Sequence, residues 1–176
     1  MGVTAGSEVE RPARGSGGRV VLGRPLFDWV GLAARLLLGI VLLVAGALKV
    51  GKPIVSARAV QAYQIFPFEI AGYIGYALPV LEIAVGLLLV VGLFTRPAAI
   101  IGAGLIIAFI LGIASAWARG LSIDCGCFGG GGEVGANDTK YPQEIARDVL
   151  FAAAGLWLVW RPRTPFSLDA RLEPRA

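Results

Sequence analysis

Histidine is absent from this 176-residue chain, and cysteine occurs only twice. Without histidine no Ser-His-Asp arrangement can be built. A closed structural zinc site needs four ligands, which two thiols and scattered carboxylates do not supply. The expectation is therefore no bound metal. A phosphate-binding loop is missing as well, because the glycine-rich stretch "GCFGGGGEVG" lacks the Lys-Ser/Thr ending that phosphates require. Charge is scarce too: 16% of residues are charged against 56% hydrophobic, too apolar a balance for a soluble domain of this size. The net charge of +4 does not point to nucleic acid, since the basic residues sit at the chain ends and in short loops rather than along one helical face.

What remains is a chain whose solvent is lipid. Apolar runs recur at roughly 27–48, 71–94, 98–118 and 145–160, each near the ~20 residues that a ~30 Å hydrocarbon core demands. Unpaired backbone groups are not tolerated there, so each run must be a helix. The fold expected is all-α, an integral membrane four-helix bundle over residues 26–162, between a disordered tail at 1–25 and a polar C-terminal tail at 163–176. With four spans, one side receives Arg11, Arg14, Arg19, Arg24, Arg96, Arg161, Arg163, Arg171 and Arg175. The other receives Lys49, Lys52, Arg58, Arg119, Lys140 and Arg147. The richer side is cytoplasmic by the positive-inside rule, which places both termini inside the cell membrane and the loop from Arg119 to Glu144 outside the cytoplasm. Ala45 and Ala47 have cleavage-like spacing, but the apolar core before them is longer than the roughly 7–15 residues of a signal peptide.

Within the spans several details stand out. Lys49 and Lys52 are placed to snorkel at the outer interface. Residues 57–65 suit either a short interfacial helix stopped by Pro67 or a plain loop. Pro79 interrupts the second span, and "TRPAA" leaves almost no loop before the third, with Pro97 at the opening of that helix. Gly104, Ala108, Gly112 and Ala116 form a small-residue stripe that lets another helix approach, within the chain or in a homo- or hetero-oligomer.

Two ionisable residues, Arg35 and Glu82, lie well inside the apolar runs, where a charge is costly unless paired and is a functional candidate by default. At 1.5 Å per residue Arg35 should lie ~12 Å deep and Glu82 ~18 Å deep. The reach of arginine spans that difference, so the geometry allows a bidentate Arg35–Glu82 pair between spans one and two, as a structural tie, in proton movement, or as the seat of a polar ligand such as a quinone head group.

Both cysteines stand in "SIDCGCFGGGGEVG". A disulfide between Cys125 and Cys127 would close a very small ring, a poor staple by loop entropy and strained enough to be easily reduced. Gly126 is the residue best able to turn such a ring. A strained, exposed pair belongs with labile or catalytic disulfides, and the glycines at 129–132 would leave it uncovered for a partner's cysteine. Asp124 opposes thiolate formation, while Lys140, Arg147 and Arg119 favour it. Two inert, reduced thiols are the bland alternative.

The combination of "RLLLGIVLLVAGALKVGKP" followed by "AVQAYQIFP", then "LPVLEIAVGLLLVVGLFTRPAA", "CGCFG" and "EIARDVL", resembles the DoxX-related membrane proteins, specifically their MauE branch, over about residues 28–160. The resemblance implies a redox membrane protein working with a thioredoxin-like extracytoplasmic partner, in the setting of methylamine dehydrogenase maturation. It maps Cys125 and Cys127 onto the family's cysteine pair, Glu82 onto its membrane carboxylate, and Arg147 with Asp148 onto the charged start of its last helix. Thiol–disulfide exchange is the function it implies. A non-catalytic scaffold for exported redox proteins, or the membrane subunit of a quinone-coupled sulfur oxidoreductase, are the rivals.

Overall fold

The structure, a computed structural model, describes residues 23–162 and 164–172. The expected disordered tail falls largely at residues 1–22 and so lies outside the described residues. In chain order the elements are α1 (Gly23–Val50), α2 (Pro53–Ala62), α3 (Phe68–Val91), α4 (Thr95–Ala118), the two-residue strands β1 (Ile123–Asp124) and β2 (Gly132–Glu133), a 3-10 turn (Ala136–Asp138), α5 (Tyr141–Trp160) and the single turn α6 (Asp169–Leu172).

Three helices are long and apolar enough to cross a membrane, over Leu26–Val50, Phe68–Val91 and Thr95–Ala118. The fourth expected span corresponds to α5, whose 20 residues begin at Tyr141 and carry Glu144, Arg147 and Asp148 among the first eight, and which is not among those three. It packs along α4 and α1. The bundle is arranged as lipid demands, with apolar side chains such as Val80, Leu87, Ile100 and Leu111 pointing outward while Arg35, Lys49, Glu82 and Asp148 are buried.

Close packing uses small residues, but not the expected stripe. Gly104 and Ala108 are exposed, and Gly112 faces the Tyr63 ring rather than another long helix. The contacts lie elsewhere: a Cβ on Gly86 would meet the Gly39 carbonyl oxygen at 2.8 Å, one on Gly46 the Pro79 oxygen at 2.7 Å, and one on Gly155 the Ala103 side chain at 2.8 Å. The backbones of α1 and α3 therefore nearly touch. A four-residue repeat marks a face without saying which face meets a neighbour.

Proline 79 does not end α3, which runs through it. A proline removes the N–H that would have bonded the carbonyl four residues earlier, here that of Gly75. That oxygen is not left without a partner. It accepts a 2.7 Å hydrogen bond from the Ser56 hydroxyl of α2. Segment 57–65 is likewise resolved: α2 begins at Pro53, a favoured first-turn position, and ends at Ala62. Between α3 and α4, Gly92 takes the left-handed conformation (φ +74°) and its N–H closes onto the Leu88 and Leu89 carbonyls. Pro97 is the third residue of α4, still within the first turn, where the missing N–H is not needed.

The C-terminal segment is more than a polar end. The Asp169 carboxylate accepts hydrogen bonds from the N–H groups of Phe94 (2.9 Å) and Thr95 (2.8 Å), and the Asp169 N–H donates to the Gly92 carbonyl (3.0 Å). It thus supplies from a distance the N-terminal cap that Phe94 lacks. Burial alone would raise the Asp169 pKa, but the hydrogen bonds from Thr95 and Phe94 and the charge of Arg35 outweigh it, holding the carboxyl below the usual aspartate value. A lowered native pKa adds stability that is present above the unfolded value of about 3.9 and is lost as the pH falls through the native one. The cap should therefore hold at neutral pH and release below about pH 4. Hydrogen exchange at the Phe94 and Thr95 amides should accelerate there in the wild type, relative to the intrinsic rate, and at all pH values in Asp169→Ala.

Candidate functional site

At the end of the bundle where α1 stops, the chain between α4 and α5 folds back over the helices. The short β1–β2 ladder pairs Ile123 with Glu133 and Asp124 with Gly132, pinching the cysteine segment into a hairpin. Tyr141, at the start of α5, anchors its base by accepting from the Ile123 N–H (2.9 Å) and donating to the Leu121 carbonyl (2.6 Å). The Tyr63 hydroxyl, just beyond α2, donates to the Cys125 carbonyl at 2.9 Å. Arg119 is held away from the thiols, its guanidinium bonded to the carbonyls of Ser115, Tyr63 and Gln64.

Inside the hairpin Gly126 is left-handed (φ +70°), and its N–H donates to the Asp124 carboxylate at 2.9 Å. That turn aims the Cys127 N–H at the Cys125 sulfur, 3.3 Å away. Both cysteines are free thiols, only 8% and 6% exposed. The expectation of an uncovered pair is thus corrected. The glycines at 129–132 serve close approach rather than openness: Gly129 lies against Leu48 at the end of α1, and Gly131 packs on Ala59 of α2. Phe128 closes the rim, with the Arg147 guanidinium 4.8 Å from its ring centroid.

The two thiols are not equivalent. The hydrogen bond from the Cys127 thiol is the largest influence on Cys125 and, with the Cys127 N–H, lowers its pKa against the opposing effects of burial and of Glu144. The same bond, then burial and the negative potential of Cys125 and Asp148, raises that of Cys127. Arg147 forms a 2.9 Å ion pair with Asp148 and stands close enough to Cys125 for their charges to interact. Burial, then the cysteines, Glu144 and Asp124, push the Tyr63 phenol up, so it stays a donor. Asp124, Cys125 and Glu144 bring one donor atom each within 4.8 Å of one another, one short of the four that a closed site requires.

Beneath Cys127 lies a small cavity of about 10 Å³, lined among others by Glu82, Phe109, Cys127, Phe128 and Asp148. Beside it the Lys49 ammonium meets Glu82 at 2.6 Å, both side chains buried, and sits 5.2 Å from the Phe109 ring centroid. The partner of the Glu82 carboxylate is therefore Lys49, not Arg35, and Lys49 does not snorkel. Arg35 lies at the opposite end, donating to the Phe166 carbonyl at 3.3 Å. The reason is register. Gly39 faces Gly86 and Gly46 faces Pro79, so Arg35 stands level with residues near 90, roughly 12 Å from the level of Glu82 at 1.5 Å per residue. Arg35 and Glu82 thus do not share a ligand site.

Of the other residues singled out from the sequence, Asp124, Gly126, Arg147 and Asp148 converge on the thiols. Lys49, Tyr63 and Glu144 were missed as site residues. A signal for Lys49 was present: Arg35, Leu38, Leu42, Ala45 and Lys49 recur at steps of three and four and all are buried, so they share one helical face.

Helices and hairpin together define a helical membrane protein that buries a Cys-Gly-Cys thiol pair against charged residues of its bundle. The family described as methylamine utilisation protein MauE matches residues 27–161, and the chain belongs to that family. No curated protein and no solved structure matches it.

Proposed function

We propose that the protein carries out thiol–disulfide exchange on the outer face of the membrane, with a thioredoxin-like partner, in the maturation of exported proteins such as those of methylamine utilisation. The asymmetry of the pair carries this reading: Cys125 receives the Cys127 N–H and thiol and the Arg147 guanidinium, the surroundings of a nucleophilic thiolate, while Cys127 keeps its proton. Inert thiols need no such arrangement. In this reading α5 is the fourth crossing, its charged first turns lying at the outer interface. Both termini are cytoplasmic, as the arginine distribution favours. The partner reaches Cys125 when Phe128–Gly131 lifts from Leu48 and Ala59. Exchange with a protein disulfide is favoured over a quinone seated by Glu82 and Arg35, because those two residues lie at different levels of the bundle.

The test combines labelling and replacement. Intact cells treated with a membrane-impermeant maleimide should label Cys125 and Cys127 only after exposure to a reductant or on opening of the hairpin. Replacing both cysteines by serine should shift the redox state of exported partners. If labelling requires permeabilised cells, or if the double serine variant leaves every exported partner's redox state unchanged, the proposal fails.

A further inference from the structure

Three groups that exchange protons line one water-sized space at the heart of the bundle. The Cys127 thiol, the Glu82 carboxylate and the Asp148 carboxylate all face the cavity of about 10 Å³, which is about the room one water molecule needs. Each carboxylate spends one oxygen on a cation, Glu82 on Lys49 and Asp148 on Arg147. The second oxygen of each, Glu82 Oε2 and Asp148 Oδ2, is buried without a hydrogen-bond partner among the described residues. Buried acceptors are ordinarily satisfied, and an orphan is costly. Two orphans beside one thiol are better explained by a proton or water that comes and goes than by packing.

We propose that Asp148 takes the Cys127 proton across this cavity when the cysteine pair closes, and returns it when the pair opens, with the Lys49–Glu82 pair fixing the charge behind it. The inference rests on the exchange reaction proposed above. The Cys125 thiolate attacks one sulfur of a partner disulfide, forming a mixed disulfide and expelling the first partner thiolate. The Cys127 S–H bond then breaks and its proton passes to Asp148. The Cys127 thiolate attacks Cys125 Sγ, forming the Cys125–Cys127 bond and expelling the second thiolate. Two electrons leave with the partner, and one proton stays on the bundle side. In reverse, a partner thiolate attacks Cys125 and Asp148 protonates the departing Cys127.

The groups facing Cys127 explain why Asp148 has this task. From α1 comes Lys49, a donor already engaged with Glu82; from α3, Glu82 itself, one of whose oxygens is held by that ion pair. The α4 residues at the cavity, Ile106 and Phe109, are apolar. From the α2 side Tyr63 is committed to the Cys125 carbonyl, while on α5 a Glu144 oxygen lies within 4.8 Å of the Cys125 sulfur and Arg147 is paired with Asp148. Asp124 accepts from Gly126 within the hairpin. Asp148 is the remaining acceptor with a clear face toward Cys127.

The experiment uses the full chain, reduced, in lipid nanodiscs, with 4,4′-dithiodipyridine as a small disulfide probe whose released thiopyridone absorbs. Wild type should release two equivalents, the second reporting ring closure. Asp148→Asn should release the first at the wild-type rate and the second at least tenfold more slowly near neutral pH. The mixed disulfide should accumulate by mass, and recovery should come as hydroxide replaces the base at higher pH. Asp148→Glu should restore closure. In the wild type, the infrared difference between oxidised and reduced states should show a carboxylic acid band appearing with the disulfide, a readout that needs no variant to fold. An unchanged second phase and pH profile in Asp148→Asn, or no carboxyl change in the wild type, overturns this inference alone. If the wild type releases no thiopyridone, the exchange reaction itself falls with it.

Discussion

Lys49→Ala should be among the most damaging single changes in the chain, lowering stability by about 3–5 kcal/mol, the cost of stranding one member of a buried ion pair. The partner left behind, Glu82, is fully buried, with its second oxygen already unsatisfied. The physical content lies in the comparison with a double variant. Lys49→Met with Glu82→Leu removes both charges and fills similar volume, so no desolvated ion remains and most of the stability should return. Thermal unfolding of purified protein in micelles checks this. A double variant as unstable as the single would mean that the pair stabilises the bundle by its attraction rather than merely avoiding a penalty. The size of the effect differs from that of a surface pair, which contributes about 0–1 kcal/mol and whose loss would be barely visible.

The second large effect separates the two cysteines. Cys125→Ser should abolish exchange, since a hydroxyl near neutral pH is not a nucleophile toward disulfides, and the remaining Cys127 is buried with its proton held. Cys127→Ser should behave differently. Cys125 keeps Arg147 and the backbone N–H at position 127, so it still attacks, but no thiol remains to resolve the mixed disulfide. The partner should then be trapped covalently and run as a reducible adduct in non-reducing electrophoresis. Trapping in Cys125→Ser and not in Cys127→Ser would invert the assignment. Equal trapping in both would mean that the hairpin does not distinguish its sulfurs.

Much of this architecture could be read from composition and spacing, and the misses have physical causes. The apolar runs located α1, α3 and α4 because a hydrocarbon core imposes a length that sequence displays directly. The family likeness, carried by "CGCFG" and the helical segments around it, agrees with the match over residues 27–161. Pairing between helices was not legible. Arg35 and Glu82 looked complementary by depth, yet depth counted from helix ends carries the error of those ends, and the Gly39–Gly86 and Gly46–Pro79 contacts set the register instead. Exposure of the thiols was misjudged for a related reason. A run of glycines reads as an open loop, whereas here the missing side chains let Gly129 and Gly131 lie directly on Leu48 and Ala59. Likewise, Asp169 looked like tail until its carboxylate was seen on the amides of Phe94 and Thr95, 75 and 74 residues away in sequence.

The bond from Ser56 to the Gly75 carbonyl ties these parts together mechanically. Ser56 and Ala59 lie three residues apart on α2. One grips α3 a single turn before its proline, and the other bears the glycine hairpin that roofs the thiols. Tilt at Pro79, the weakest point of α3 because one rung of its hydrogen-bond ladder is missing, would therefore be transmitted through α2 as through a rocker arm to the roof. The proline region of α3 and the roof over the thiols thus rest on one and the same helix of ten residues.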